Sequence, residues 1–477
     1  MTVRTRIAPS PTGIAHIGTA YIGLLNYAFA KVNRGKFILR IEDTDRERYV
    51  KGSEQIIFAA LRWLGFDYDE GPDVGGPFAP YVQSKRLEVY QKQAEELISK
   101  GRAYYCFCSQ ARLEQMRKDQ QQQGKPPMYD GTCRTLDPKQ AQIKAAKEIH
   151  VIRLKVVKQG TTEWDDTIRG KISFENKTID DQVLLKSDGY PTYHLAVVVD
   201  DHLMEISHVI RGEDWISSTP KHLMLYQAFG WKPPEFAHTP LLRNPDRSKL
   251  SKRRDPVSIL WYKQQGYLPQ SLVNYLCLMG WSHPKAKEKF TLEEFIANFS
   301  LDRIKTTAPV FDLEKLRWLN GAYIRELDDK KLVSALKPYI PKRMDSSLVR
   351  QLLPLVRERL HLLSEFHDQT EFFVKPPKPD TTAVLRESQH SKEETQAKFK
   401  EFSALLAKLD EKAFKARSLE EKARKLTGAT WSPTKLFMTV RIALTGKTAT
   451  PPLFDTIEIL GKSETLERLH NVILKLK

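Results

Sequence analysis

From Ala20 onward, apolar residues recur three or four apart at Ile22, Leu25, Phe29 and Val32, a spacing that predicts a helix with one buried face. In Phe37–Glu42 the period drops to two. Phe37, Leu39 and Ile41 share one side, Arg40 and Glu42 the other, which predicts a strand. Leu195–Val199 is unbroken apolar sequence ending in Asp200 and Asp201, the profile of a strand covered on both faces, as in parallel sheets. Helix alternating with buried strand predicts a doubly wound α/β sheet. The stretch from Lys92 to Ser187 differs in texture, with the alternating run Val151–Val156, and reads as an insertion into that sheet domain. Gln120–Gln123, followed by Gly124-Lys125-Pro126-Pro127, reads as a loop. Beyond Trp318 strand signals are scarce, and Leu, Lys and Glu dominate 332–363 and 398–426; the C-terminal third is expected to be all helical. Lys375-Pro376-Pro377-Lys378-Pro379-Asp380 cannot continue a helix and marks a boundary between two helical modules.

Composition narrows the function classes. A chain of 477 residues divides into several domains. Its formal charge of +17 points to an acidic partner, nucleic acid first and an anionic membrane surface second. No run approaches the roughly 18 apolar residues of a spanning helix. Four cysteines are too few for a disulfide framework in a chain this long. Three of them, Cys106, Cys108 and Cys133, cluster, which suggests a reducing compartment and a metal. Arg4–Ala8 follows Met1 with none of the patterning of a leader, so a cytoplasmic protein is expected.

Two short motifs carry chemistry. In Arg6-Ile7-Ala8-Pro9-Ser10-Pro11-Thr12-Gly13-Ile14-Ala15-His16-Ile17-Gly18-Thr19, two prolines and Gly13 make a loop after a first strand, and Gly18-Thr19 opens the helix beginning near Ala20. A helix N-terminus there offers backbone N–H groups and a positive dipole to a phosphate, with His16 as a further donor. Taken alone, the same residues also fit an ordinary strand–loop–helix corner. In Arg247-Ser248-Lys249-Leu250-Ser251-Lys252-Arg253-Arg254, four cations fall between Lys249 and Arg254, after Pro245 and Asp246. They fit either a solvated basic loop or a clamp neutralising a triphosphate as charge moves onto leaving pyrophosphate. No P-loop signature is present, so a nucleotide must be held another way.

Together, P-S-P-T-G-I-A-H-I-G-T and K-L-S-K-R resemble the two signatures of class I aminoacyl-tRNA synthetases, and within that class the bacterial glutamyl-tRNA synthetases. R-I-E-D-T-D (40–45), D-G-Y-P-T-Y-H-L-A (188–196), V-V-D-D-H-L-M (198–204), P-L-L-R-N-P-D (240–246), N-Y-L-C-L-M-G-W (274–281), F-D-L-E-K-L-R-W-L-N (311–320) and P-P-L-F (451–454) extend the likeness nearly end to end. The resemblance implies a Rossmann-type catalytic domain over 1–91 and 188–245, with an α+β acceptor-binding insertion at 92–187. It further implies a stem-contact region carrying the K-L-S-K-R loop at 246–325 and helical anticodon-binding modules at 326–380 and 381–477. The implied reaction is glutamate activation by ATP with Mg²⁺, then transfer to the 2′-hydroxyl of the terminal adenosine of tRNA-Glu, by a monomer.

By the family's pattern His16, Gly18, Lys249 and Lys252 are catalytic. Glutamate falls to Arg6, Ala8, Ser10, Glu42, Tyr193, Val197 and Arg211, while ATP falls to His16, Gly18, Thr19, Asp214, Leu242, Lys249, Leu250, Ser251, Lys252 and Arg253. Two arginines and one acid suit two carboxylates and one ammonium, and a guanidinium disfavours the neutral amide of glutamine. The chain departs from the pattern at Val197, where the family usually has Asn. Valine offers no hydrogen bond, so either glutamate binding is weakened or neighbours supply the contact. Cys106, Cys108, Tyr129 and Cys133 resemble the zinc knuckle of glutamyl-Q tRNA-Asp synthetase, but Thr135 stands where zinc-binding full-length relatives have His. Both a Zn²⁺ site and a metal-free thiol cluster fit. Arg357 and Arg359 lie near the family's anticodon-contacting Arg, or on a solvated helix face. Charging of tRNA-Gln as well as tRNA-Glu is the nearest alternative function. A tRNA-modifying relative would lack the anticodon part, for which about 150 residues remain after Trp318. An inactive tRNA-binding protein would be expected to have lost His16, Lys249 or Lys252.

Overall fold

The first strand, β1 (Arg4–Ile7), pairs in parallel with β2 (Lys36–Leu39), Arg4 opposite Lys36 and Ile7 opposite Leu39, with helix α1 (Ile17–Val32) between them in sequence. The computed structural model to which they belong describes residues 2–251 and 256–476. After β2 come α2 (Ser53–Leu64), α3 (Leu87–Ser99), β3 (Ala103–Cys106), α4 (Gln110–Gln122), α5 (Pro138–Ala145), β4 (Val151–Leu154), β5 (Thr161–Asp166), β6 (Gly170–Glu175), β7 (Val183–Leu185), α6 (Tyr193–Leu203), β8 (His208–Gly212), α7 (Thr219–Phe229) and β9 (Glu235–Thr239). β8 and β9 pair in parallel, and the Ser207 N–H donates to the Arg4 carbonyl at 3.0 Å, bringing β8 beside β1. Parallel strands separated by helices are the doubly wound arrangement expected from the alternating pattern.

The insertion has two parts. β3, β4 and β7 form a small antiparallel sheet, and the β5–β6 hairpin joins the edge of β9, with β5 parallel to it at Asp166 and Phe236. Chain contacts divide the molecule into two units, Met1–Lys263 with Pro269–Leu313, and Gln264–Leu268 with Glu314–Lys477. In the second unit every described element is helical. Two apolar clusters hold it together. One centres on Leu332, Leu353 and Phe366 and the other on Phe399, Phe402 and Leu469, with Lys375–Asp380 as irregular chain between their sequences.

Three sequence readings are corrected. Leu195–Val199 is not a strand but the middle of α6, in which every residue from Leu195 to Asp201 is buried. A short apolar run covered all round has no period to separate strand from helix, and packing decides. Gln120–Gln122 end α4, and the turn begins only at Gln123; α4 packs only Leu113 and Met116, both partly buried, in its first half, so no apolar stripe announces its end, while Gln propagates helix well. Helix α1 forms as expected, but its fully buried positions include Ala20, Leu24, Ala28 and Ala30 beside Leu25, and Val32 is exposed. Small Ala and Gly side chains allow the closest approach to the sheet, which a count of large apolar residues overlooks.

Candidate active site

The loop after β1 delivers Ala8, half-buried, and Ser10, exposed, and turns at Gly13, whose φ of 110° is open to glycine at little cost. His16 then caps α1: its Nδ1 accepts the Gly18 N–H at 2.9 Å. A ring whose Nδ1 accepts carries its proton on Nε2 when neutral, so the outer nitrogen is a donor. An added Cβ on Gly18 would lie 3.1 Å from that Nδ1; glycine there lets the ring sit against the first turn. Thr19 follows, half-buried, and the first turn is closed on the histidine, with the Thr19 and Ala20 N–H groups donating to the His16 carbonyl at 2.9 and 3.1 Å.

The second motif is tied to the first through the backbone. Ile17 N–H donates to the Val257 carbonyl at 2.7 Å and Ile259 N–H to the Ala15 carbonyl at 2.9 Å, so the chain leaving the K-L-S-K-R loop runs antiparallel to the histidine. On the entering side Arg243 bridges Lys249, and the Asn244 N–H donates to the Ser248 carbonyl at 2.9 Å. Lys249 lies 3.6 Å from Asp214 with a mostly exposed side chain. Leu242 and Leu250 are buried beneath, and Ser251 is exposed. Lys252 and Arg253 lie outside the described residues.

A buried ionic network lines the adjacent part of the sheet. Arg6, on β1, donates to Asp201 through Nε at 3.0 Å and Nη2 at 3.2 Å, and its Nη1 donates to no described residue. Arg40, fully buried, donates Nη1 to Asp201 at 2.8 Å and Nη2 to Glu42 at 3.0 Å. Asp200 takes Arg86, Gln83 and Tyr90 at 2.8, 2.9 and 2.8 Å. Burial raises the Asp201 carboxyl, but Arg6 and Arg40 outweigh it and hold it below the usual range, whereas burial dominates at Glu42 and raises it. Tyr193, Val197 and Asp201 stand four residues apart on one face of α6; Val197 is 2% exposed and packs in the apolar core.

Arg211, on β8, is buried, yet it forms no ion pair among the described residues. Its Nε donates to His238 Nε2 at 3.1 Å, Nη1 to Tyr193 Oη at 3.3 Å and His222 Nδ1 at 3.2 Å, and Nη2 to Thr219 Oγ1 at 2.8 Å and the Trp215 carbonyl at 3.4 Å. Burial lowers its basicity, lowers His222 well below the ordinary range, and with nearby Lys221 and Arg211 pushes His194 down to about 3. Every donor of this guanidinium is met by a neutral dipole, leaving its buried charge without an ion-pair partner among the described residues. Burying a cation without an ion-pair partner is costly.

In the insertion, Cys106, Cys108 and Cys133 bring their Sγ atoms within 4.8 Å of one another. Tyr129 Oη lies 3.4 Å from both Cys106 and Cys108, and Arg112 donates to Cys108 Sγ at 3.3 Å. Burial pushes Cys108 up to about 11. At Cys106 burial also raises the thiol, but bonds to it from Tyr129, Cys108 and Arg153 prevail and lower it. In the second unit, Arg357 pairs with Asp329, and Arg359, exposed, donates to the Thr450 carbonyl at 3.0 Å.

Sequence reasoning missed His222 and His238, which accept hydrogen bonds from Arg211, and Asp166, which pairs with His238, and treated Asp200-Asp201 only as the end of a motif. A signal for the last was present: two acids closing an apolar run must be paired if the run is buried.

The parallel sheet, histidine-capped helix and basic loop define a class I aminoacyl-tRNA synthetase. The chain matches the family model of tRNA synthetases class I (E and Q), catalytic domain, over residues 2–318, and that of the anticodon binding domain over 331–473. It is 49% identical to a glutamate--tRNA ligase of Thermus thermophilus over 99% of this chain and 100% of the relative. To one of Fusobacterium nucleatum it is 46% identical over 99% and 98%. The crystal structure of a glutamate tRNA ligase from Elizabethkingia meningosepticum in complex with its amino acid superposes with a TM-score of 0.85 at 34% identity, covering all of both chains. The chain belongs to the glutamate--tRNA ligase family.

Proposed function

We propose that this chain, an ATP-dependent glutamate--tRNA ligase, holds the two carboxylates of L-glutamate on Arg211 and Arg6 and its ammonium on Glu42, with Tyr193, Ala8 and Ser10 closing the pocket. The observation carrying this reading is the buried Arg211 guanidinium bonded only to neutral groups. The glutamate α-carboxylate attacks the α-phosphate of ATP, the bond to pyrophosphate breaks, and glutamyl-adenylate forms. The 2′-hydroxyl of the tRNA terminal adenosine then attacks the acyl carbon and releases AMP. His16 donates its Nε2–H to the phosphate in flight, helped by Gly18 and Thr19 at the helix start, while Lys249 and Lys252 neutralise the pyrophosphate. Asp214, Leu242, Leu250, Ser251 and Arg253 complete the nucleotide site. The family's reaction uses ATP with Mg²⁺.

The Val197 side chain makes no polar contact, and the network of Arg6, Arg40 and Asp201 carries the pocket's polarity in its place. Residues 92–187 receive the acceptor end, 246–325 the stem, and 326–380 with 381–477 the anticodon, where exposed Arg359 is better placed to contact RNA than Arg357, which Asp329 already holds. Charging assays of tRNA-Glu and tRNA-Gln transcripts with radiolabelled glutamate test the reading. Glutamylation of tRNA-Glu that is lost in His16→Ala is the expected result, glutamylation of tRNA-Gln assigns the non-discriminating form, and no charging of either transcript sinks it.

The thiol cluster fits zinc. Three sulfurs and a phenol oxygen converge, and Arg112 and Arg153 offset the charge that three thiolates leave beyond a divalent ion. Metal analysis of protein purified without chelator should find roughly one zinc per chain, lost in Cys133→Ser; a metal-free wild type that takes up no added zinc overturns the assignment.

A further inference from the structure

Arg211 is only as well aimed as the groups that accept its hydrogen bonds, and those acceptors impose a proton order on their neighbours. His238 Nε2 accepts from Arg211 Nε at 3.1 Å, so the proton of its neutral ring is on Nδ1, which faces Asp166 Oδ2 at 2.5 Å. Asp166 and His238 are both buried, and burial keeps the ring neutral. The other carboxylate oxygen is held separately: Asp166 Oδ1 accepts backbone N–H groups from His238 at 3.1 Å, Ile168 at 3.2 Å and Arg169 at 3.1 Å. Asp166 is the last residue of β5, in the insertion, at the point where that strand pairs with β9.

We infer that Asp166 is a positioning residue for substrate binding: through the Nδ1–H tautomer of His238 it keeps a lone pair facing Arg211 and so aims the guanidinium at the glutamate carboxylate. This deepens the pocket reading above and rests on it. Its chemical logic makes Asp166→Asn a sharp perturbation. The three backbone donors keep the amide oxygen at the Oδ1 position, so the amide NH₂ faces His238 Nδ1. The ring must then accept at Nδ1 and carry its proton on Nε2, where it meets the Arg211 Nε–H donor to donor. Gln at position 238 escapes the constraint, since its terminal amide can turn its oxygen to Arg211 without a proton on the other side.

The test is glutamate KM in the charging of tRNA by the full enzyme, read in four variants beside wild type. Arg211→Lys comes first; an unchanged glutamate KM there removes the pocket reading and this inference with it. With Arg211→Lys impaired, Asp166→Asn is expected to raise glutamate KM roughly 10- to 100-fold, the loss of a hydrogen bond to a charged group. The KM for ATP and kcat should stay within about threefold. Adding His238→Gln to Asp166→Asn should recover most of that loss, whereas merely structural damage would add to it. Nitrogen NMR of histidine-labelled protein should show the His238 Nδ1 signal, identified by its absence in His238→Gln, change from a protonated to an unprotonated nitrogen in Asp166→Asn. Wild-type glutamate KM in Asp166→Asn, or additive losses in the double variant, overturns the inference. Should the single variant not fold, the double variant still decides, because it needs neither the buried charge nor a tautomer: a glutamate KM near that of His238→Gln supports the inference, and one more than about tenfold higher overturns it.

Discussion

His16→Asn is expected to lower the rate of tRNA charging, through adenylate formation, about 10²–10³-fold at saturating ATP and glutamate, the scale for losing one preorganised donor to a developing charge. In the proposed mechanism the histidine has two jobs on two nitrogens: Nδ1 caps α1 by accepting the Gly18 N–H, and Nε2–H is the donor to the phosphate. Asparagine is a good N-cap and its oxygen can replace Nδ1, but it is too short to replace Nε2–H. The variant therefore keeps its helix and loses only the reach. His16→Ala loses both, with the same rate defect plus about 1 kcal/mol of stability from the missing cap. Single-turnover charging and urea denaturation of the two variants separate these losses. A His16→Asn enzyme within about threefold of wild type would leave the histidine as a cap and nothing more.

Asp201→Asn has the largest expected effect on stability. One carboxylate holds Arg6 through two bonds and Arg40 through a third, all three side chains at most 5% exposed. Removing the charge while keeping the shape leaves two buried guanidinium groups short of a counterion, a loss of about 3–5 kcal/mol by the usual cost of breaking a buried pair. The folded carboxyl lies below its ordinary range because the two arginines outweigh burial. Its contribution is thus fully present above about pH 4 and is lost as pH falls through the lower folded value. Denaturation midpoints of wild type and variant should differ most at neutral pH and converge in acid. Equal midpoints at neutral pH would show that Glu42 and Asp200 alone suffice for Arg40, and that Arg6 reaches water. Glutamate affinity should fall in the same variant, since Arg6 loses the support that leaves its Nη1 for a ligand.

The motifs of the candidate site are legible in the order along the chain because they lie in short contiguous pieces. A histidine two residues before a glycine at a helix start, and lysines in one loop, keep their meaning wherever the pieces are placed, since backbone N–H groups and local cations act over a few ångströms. The helical C-terminal part was equally readable from its Leu, Lys and Glu content. Leu195–Val199 was not: five apolar residues suit a strand or a buried helix, and the choice fell to helix when Asp200 and Asp201 met Arg86, Arg6 and Arg40 from other elements.

Sequence alone thus carried the family, the candidate phosphate-handling motifs, the basic character that suits RNA and the zinc-like cysteine spacing, all local or additive properties. The fold was needed to bring Arg211 its partners: His238 from β9 and His222 from α7 accept its hydrogen bonds, and Asp166 from the inserted β5, 45 residues before Arg211 in the chain, holds His238. A proton order that passes from carboxylate to imidazole to guanidinium depends on distances near 3 Å between separate strands, and no spacing rule in one dimension encodes which strands become neighbours.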